Sequence, residues 1–357
     1  MFKKMVSVFL MVVMVGTMAA GCQGKNDSGS KEEKSEKLRV GIMPSTVGVP
    51  VQYAYDKGYF EEEGLDIEIS VFQTGAPVNE AIVAKQIDLA ASGAASIFSL
   101  ASGNCTLLAE LDVAGGMGIY VRPDSEILKE KGKIEGLSEM YGSAESLKGK
   151  TFLGQLGTSS QLNVIRYAEQ FGLEADDYTV VHMDAGPAYQ AFIAGEGDAL
   201  AAYPPYSFYA LSEGMVEVAT FEDSTGFSMY DAIFGRTEVI DKHPEDIEKF
   251  MKCVMKATEE MKDDALRKEY SMEFFAANGR EYTEEDMDDE IAVRAYMGKE
   301  EFLDSNYVFG KAFADQCDFY VENGKITEDQ VPKLYDSLNP EYLNKVLDID
   351  LKAAAME

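Results

Sequence analysis

The chain has 357 residues, 46% of them hydrophobic, and a formal net charge of −31. Such an acidic chain argues against nucleic acid as a partner, because nucleic-acid binding depends on lysine and arginine side chains that neutralise phosphates. With only two histidines it offers no His-based metal cluster, and it contains neither a P-loop nor a Gly-x-Ser-x-Gly elbow. We therefore expect no cofactor, no metal and no enzymatic activity.

Residues 1–21 have the pattern of a lipoprotein signal peptide. Lys3 and Lys4 form its basic start, residues 5–15 its apolar segment, and residues 19–21 a cleavage site of small residues. The apolar segment is shorter than the roughly 20 residues that span a membrane. We therefore expect this leader to lie outside the fold.

Cys22 follows the cleavage site directly. The run Ala-Ala-Gly-Cys resembles the lipobox of bacterial lipoproteins, in which the cysteine receives a diacylglycerol, although Ala19 replaces the usual leucine. Residues 22–37 are rich in Gly, Ser, Lys and Glu and predict a flexible tether. The resemblance implies a domain anchored through Cys22 to the outer face of the cytoplasmic membrane. An ordinary secretory signal that ends near a cysteine is the alternative.

From residue 38 onward, short apolar runs alternate with amphipathic segments of about ten residues, which is typical of βαβ units and a mainly parallel sheet. A charged, glycine-broken connector over residues 123–148 interrupts the alternation, which then restarts. The predicted strands are 38–43, 65–71, 87–91, 105–111, 119–122, 151–154, 178–183, 199–202, 215–221 and 229–234. The predicted helices are 49–57, 77–85, 92–103, 159–171, 187–194 and 204–212, followed by mostly helical sequence from residue 244.

One stretch of the sequence occurs twice. Residues 77–88 align without gaps on residues 187–198, and proline, two alanines and the final aspartate coincide. A spacing this long has the scale of a domain rather than of a solenoid repeat. It predicts two similar α/β lobes that face each other across a cleft, and chance similarity between two alanine-rich helices is the alternative.

We expect lobe 1 to comprise residues 38–122 and 229–357, and residues 123–228 to form the connector and lobe 2. The lobes would hinge near Arg122 and over residues 221–230. Residues 246–261 carry apolar side chains at helical spacing, so the C-terminal helices are predicted to wrap lobe 1.

Three cysteines remain besides Cys22, namely Cys105, Cys253 and Cys317. An odd number at wide spacing does not form a disulfide framework. We expect buried free thiols, and whether Cys253 and Cys317 are neighbours stays open.

Several segments resemble the extracytoplasmic solute-binding proteins of ABC importers, in the branch that binds nitrate, sulfonates, taurine and thiamine pyrimidines. The segments are 38–44 with 57–66, 84–90, 146–151 with 157–160, and 194–199. The resemblance implies a two-lobed type II periplasmic binding protein fold with two crossovers, ligand in the cleft, and a permease and its ATPase as partners. Relatives often carry tryptophan before proline where this chain has Tyr203, so ligand detail does not carry over there. A monomer is expected.

In open α/β sheets, ligands bind beyond the carboxyl ends of the strands. That rule selects turns in both lobes, and several of them open helices whose N-termini suit a sulfonate, carboxylate or phosphate. Capping of its own helix is the alternative for each serine or threonine. The candidates are Ser45, Thr46, Thr74, Gly75, Ser92 and Gly93 in lobe 1, and Thr158, Ser159, Ser160, Asp184 and Tyr203 in lobe 2.

Asp184 suits an amine or another N–H donor, or else caps the helix that follows it. Tyr203, Tyr206, Tyr209 and Tyr230 could stack on a ring of the solute, or simply pack within the lobes. These features fit a small zwitterion such as an aminosulfonate, or a polar heteroaromatic compound, and do not separate the two.

The predicted function is therefore capture of a small polar organic solute, similar to a sulfonate or taurine or to a thiamine precursor, for an ABC importer. A sensor or adhesion lipoprotein of the same fold is one alternative. An enzyme of thiamine-pyrimidine metabolism is another, although the eukaryotic relative with that activity uses a cysteine-rich motif that this chain lacks.

Overall fold

The computed structural model describes residues 36–356. Cys22, the signal peptide and nearly all of the tether lie outside this range, so the predictions on them stay predictions. In the described range, no helix combines the length and hydropathy that a membrane crossing requires.

The strands of residues 36–356 are β1 Leu38–Ile42, β2 Ile67–Val71, β3 Leu89–Ser92, β4 Cys105–Val113, β5 Gly118–Val121, β6 Thr151–Gly154, β7 Thr179–His182, β8 Ala199–Ala202, β9 Val216–Thr220 and β10 Tyr230–Arg236. The α-helices are α1 Val49–Asp56, α2 Tyr59–Glu62, α3 Gly75–Val83, α4 Ser96–Ala101, α5 Ala144–Leu147, α6 Ser159–Gln170, α7 Ala185–Ile193, α8 Tyr206–Ser212, α9 Phe221–Thr225, α10 Thr237–Lys242, α11 Pro244–Glu260, α12 Asp264–Ala277, α13 Glu284–Val293, α14 Lys299–Phe302, α15 Lys311–Glu322, α16 Val331–Asp336 and α17 Glu341–Leu347.

These strands form two five-stranded sheets. The order is β2-β1-β3-β10-β4 in the first sheet and β7-β6-β8-β5-β9 in the second. In each sheet the first three strands are parallel, and the fourth is antiparallel to both of its neighbours. The matching orders confirm the predicted two-lobed α/β fold.

The sequence repeat corresponds to a repeated βαβ unit. The unit β2–α3–β3 of the first sheet matches β7–α7–β8 of the second, and Gly75 and Leu89 correspond to Ala185 and Ala199 at the same offset of 110 residues. Because α3 and α7 both follow the outermost parallel strand, their N-termini lie at equivalent edges of the two sheets. The repeat therefore places equivalent turns, those before α3 and α7, on the two walls of the cleft between the sheets.

The predicted lobe boundary at residue 122 falls too late. Strand β5 pairs with β8 and β9, so the chain changes sheets within residues 114–117. Gly116 has φ of +78°, and a Cβ there would lie 2.9 Å from Pro204 Cγ, so this link requires glycine. Arg122, predicted as a hinge residue, instead stacks on the Phe192 ring at 4.7 Å. The chain returns to the first sheet between β9 and β10, over residues 221–229.

The C-terminal helices share the hydrophobic core of lobe 1, as their apolar spacing predicts. Helix α11 buries Ile247, Phe250, Met251 and Val254, and the Phe250 ring stacks on Phe60 at 5.3 Å. Full burial of each such side chain contributes about 1.5–3 kcal/mol. Lobe 1 therefore gains a core that its five strands alone could not supply.

The thiols of Cys105, Cys253 and Cys317 are buried and free.

Candidate ligand-binding cleft

On the first wall, the turn after β1 brings Ser45 and Thr46 to the carboxyl edge of the sheet. The Thr46 hydroxyl donates to Glu290 Oε1 at 2.7 Å, and its carbonyl accepts from Tyr296 Oη at 2.8 Å. The hydroxyl and the carbonyl of Thr46 are thus both hydrogen-bonded within the protein. The Ser45 hydroxyl is enclosed and finds no hydrogen-bond partner within residues 36–356.

The neighbouring turns on this wall pack tightly. Ser92 is fully buried and its hydroxyl donates to Met43 Sδ at 3.3 Å. A Cβ at Gly75 would lie 3.2 Å from Ser92 Oγ and 2.8 Å from Ala95 Cβ, so only glycine lets α3 begin this close to β3. Thr74 precedes α3 without capping it through its side chain. The first amides of α3 therefore keep no side-chain acceptor from their own N-cap residue.

A buried ion cluster that sequence reasoning missed lies below these turns. Arg294 Nη1 lies 2.8 Å from Asp231 Oδ2 and 3.2 Å from Asp112 Oδ2, and Arg294 Nε lies 3.4 Å from Glu290 Oε1. Burial, reinforced by Asp231, raises the pKa of Asp112 well above its usual range. The sequence does contain a signal for this cluster, namely acidic residues inside the apolar runs of β4 and β10. Such residues are rarely buried without a partner, so they indicate a buried ion pair.

On the second wall, three side chains form a polar chain. Gln155 Nε2 donates to Asp184 Oδ1 at 3.1 Å, and Tyr203 Oη donates to Gln155 Oε1 at 3.1 Å. Asp184 occupies the N-cap position of α7 but makes no side-chain cap. Gln155 directly follows β6 and lies two residues before the candidate turn, so the strand-end rule did not select it. The carboxylate and amide of this chain can serve an N–H donor.

The predicted hydroxyl cluster at the start of α6 divides into separate roles. Thr158 caps the helix, since its Oγ1 accepts from Ser160 N at 3.3 Å and donates to Gln155 O at 2.8 Å. Ser160 is buried, whereas Ser159 is half-buried. Thr158 therefore caps its own helix, which was the alternative to a ligand-binding role. Its hydrogen bond to Gln155 O also fixes the turn that carries Gln155.

Replacing Thr158 with alanine is expected to lower the free energy of unfolding by about 1 kcal/mol, because an N-terminal amide of α6 loses its cap. Urea denaturation of the mature chain measures the change. Ser159→Ala is the matched control, since no hydrogen bond of the Ser159 side chain occurs among the described residues, and it should cost less than half as much. Equal losses for the two variants would contradict the capping role.

The tyrosines do not form one cluster. The Tyr206 ring packs against Tyr189 at 5.8 Å and Tyr209 at 6.0 Å. Tyr230 instead packs against Tyr307 at 6.0 Å and lines a groove of about 1040 Å³ beside α6 and α15. Of these tyrosines, Tyr203 is the one that belongs to the polar chain of the second wall.

Two cations from the C-terminal half of the chain approach the second wall. Arg280 is held on the first wall, where its Nη2 donates to Gln73 O at 2.9 Å. Burial raises the pKa of Tyr203, and Arg280 lies close enough to oppose that rise. At the other rim, Lys325 Cε lies 2.6 Å from where a Cβ of Gly157 would be. No sequence motif marks either residue.

Within residues 36–356, no group of three or more His, Cys, Asp or Glu side chains is arranged to hold a metal ion. The two walls instead offer turn amides, hydroxyls, carboxylates and amide side chains. Equivalent sheets, two crossovers and polar turns on facing walls define a two-lobed solute-binding protein of the type II periplasmic class.

Comparison with known proteins identifies the family. Residues 45–265, more than half of the chain, match the family described as NMT1/THI5 like. A protein of Brachyspira hyodysenteriae, named as an ABC transporter periplasmic binding protein, is 31% identical over 350 residues, which cover 97% of this chain and 100% of that relative. The chain therefore belongs to the NMT1/THI5-like family.

Further similarities agree with this assignment. A Bacillus subtilis protein named for binding aliphatic sulfonates is 25% identical over 70% of this chain and 72% of its own length. The crystal structure of a periplasmic sulfonate-binding protein of Methylobacillus flagellatus superposes with a TM-score of 0.69 at 15% identity, covering 91% of this chain and 100% of that one. These relatives are solute-binding proteins rather than enzymes, and so is this chain.

Proposed function

We propose that this protein is the solute-binding lipoprotein of an ABC importer and captures a small polar organic solute between its lobes. The solute is a sulfonate or taurine-like compound, or a thiamine-precursor-like pyrimidine. Lipid on Cys22 anchors the protein to the outer face of the cytoplasmic membrane, and it delivers the solute as a monomer to the permease and its ATPase.

The observation that carries this proposal is the pairing of equivalent turns. Helices α3 and α7 start at the same edge of the two sheets, and neither has a side-chain cap from its N-cap residue. Free amides at a helix N-terminus suit an anionic group. The chain Asp184–Gln155–Tyr203 adds acceptors for N–H groups. A solute that carries both an anionic group and an N–H group can therefore bind the helix amides and these acceptors at the same time.

Lobe closure supplies the mechanism. The solute enters between the walls, the two links over 114–117 and 221–229 bend, and the turns close around it. Lys325 lies against Gly157 of the second wall, and Arg280, which is hydrogen-bonded to Gln73 of the first wall, lies near Tyr203 of the second. The solute shifts the equilibrium from the open to the closed form only to the extent that it binds the closed form more tightly.

A thermal-shift screen of the mature chain tests the solute class. The compounds are alkanesulfonates, taurine, aminopyrimidines, amino acids, nitrate and bicarbonate. A true ligand at 100 times its dissociation constant should stabilise the fold by about 2.7 kcal/mol, and small-angle scattering of the same sample should show a smaller radius of gyration. Stabilisation by amino acids or inorganic anions alone would refute the proposed class, and an unchanged radius at saturation would refute closure.

A further inference from the structure

Asp231 presents an oxygen without a protein partner toward the cleft. It is the second residue of β10, whose start lies at the carboxyl end of β3, and Ala232 pairs with Ser92. The side chain belongs to a residue that is 5% exposed. Its Oδ2 accepts from Arg294 Nη1 at 2.8 Å, while Oδ1 makes no hydrogen bond to any residue of 36–356. Oδ1 is not fully enclosed, so a donor from outside the protein can reach it.

Glycine at position 93 leaves this oxygen uncovered. A Cβ there would lie 3.3 Å from Asp231 Oδ1 and 3.9 Å from Cγ, directly over the carboxylate. The φ of Gly93 lies outside the left-handed region, so the backbone itself does not require glycine. Gly93 is half-buried and directly follows β3, so it lies in a turn at the carboxyl edge of the first sheet. The absent side chain therefore keeps a path open to Oδ1.

The charges around Asp231 are not balanced by protein groups. Arg294 is shared among Asp231, Asp112 and Glu290. The next cation is Arg267, which acts on Asp112 and lies over the Tyr296 ring at 4.5 Å. Three carboxylates thus face two guanidinium groups. A proton on Asp112, whose pKa burial raises, can neutralise the excess, and a cation placed at Asp231 from the cleft would do the same.

A second unsatisfied atom lies on the same edge. The enclosed hydroxyl of Ser45 has no described partner, and its turn follows β1, which neighbours β3. Since adjacent strands lie about 4.8 Å apart, Ser45 and Asp231 are separated by roughly 10 Å, the span of a small organic molecule. An anionic group placed next to Asp231 would meet a carboxylate without a donor, so the acidic end of a solute must bind elsewhere.

We infer that the solute carries a protonated or hydrogen-bond-donating nitrogen, and that this nitrogen binds Asp231 Oδ1 through the opening at Gly93. The inference rests on the proposed function and narrows it to amino-substituted solutes. Within the sulfonates it selects aminosulfonates, and within the pyrimidines it selects aminopyrimidines. Asp231 is thus a specificity residue of lobe 1, opposite Asp184 on lobe 2.

Calorimetric titration with matched pairs tests the inference. Taurine is compared with ethanesulfonate, and 4-amino-2-methylpyrimidine with 2-methylpyrimidine, so that each pair differs only in the amino group. The preferred amino compound should bind the mature chain at least tenfold more tightly than its partner. Asp231→Asn and Gly93→Ala should each remove most of that difference. Gly93→Ala keeps the ion pair of Asp231 with Arg294, so it separates loss of binding from loss of folding.

Glu110→Gln is the matched control, because it replaces a buried carboxylate of the neighbouring strand β4 without changing the Arg294 cluster or the opening at Gly93, and it should keep the preference. A preference that survives both Asp231→Asn and Gly93→Ala would overturn the inference alone. Equal binding of both members of each pair would do the same while supporting the proposed function. If none of the four compounds binds the wild-type chain, both the solute class and this inference are wrong.

Discussion

Replacing Arg294 with methionine is expected to lower the free energy of unfolding by about 3–5 kcal/mol. The guanidinium is the direct partner of Asp231, Asp112 and Glu290, all of them buried. Without it, three carboxylates would share one low-dielectric site with only Arg267 nearby. Methionine keeps much of the volume, so the loss reports the missing charge rather than a cavity.

Urea denaturation at neutral pH measures this change, with the fraction folded followed by circular dichroism. Lys85→Met is the matched control, since it removes an ion pair with Glu238 in which both side chains are more than half exposed. Exposed pairs contribute at most about 1 kcal/mol, and the control should stay within that limit. If Arg294→Met also costs less than about 1 kcal/mol, the cluster is not held together by this guanidinium.

The fold was predictable because its signals are local. Apolar runs of four to six residues, glycines at turns and a repeated βαβ unit all leave marks in the sequence, and the offset of 110 residues survives in α3 and α7. Strand β5 was assigned to the wrong lobe for the opposite reason. A four-residue apolar strand does not show which sheet it joins, and its partners β8 and β9 lie far along the chain.

The candidate site was predictable only as a set of turns. Strand ends located Ser45, Gly93 and Tyr203, since that rule needs only the element order. The interactions that give each side chain its role connect distant residues. Thr46 binds Glu290 across 244 positions, and Asp231 binds Arg294 across 63. Such pairings appear only when the end of α13 and the residues after it come to lie against the first sheet.

The stability of the folded chain is expected to depend on pH through Glu110. It is fully buried in β4, where Tyr307 Oη and Gly310 N donate to Oε2, the latter at 2.9 Å, while Oε1 has no partner in the described part of the chain. Burial raises its pKa from the ordinary 4.5 to about 7, and the two hydrogen bonds only partly oppose this. The unfolded chain releases the proton near pH 4.5, whereas the folded chain holds it to about pH 7. Between these values Glu110 binds more protons in the folded state, so its contribution to stability falls as pH rises and levels off above pH 7.

Glu110→Gln should remove this fall, because glutamine keeps an acceptor for Tyr307 and Gly310 and never ionises. At pH 8 the variant is expected to be more stable than the wild type by about 3 kcal/mol, the value of the pKa difference, and at pH 4.5 the two should be nearly equal. Urea denaturation from pH 4.5 to 8 measures both curves. Glu68→Gln, at an exposed ion pair with Lys37, is the matched control and should reproduce the wild-type slope. A constant difference between Glu110→Gln and the wild type across this range would mean that Glu110 does not change its protonation between pH 4.5 and 8.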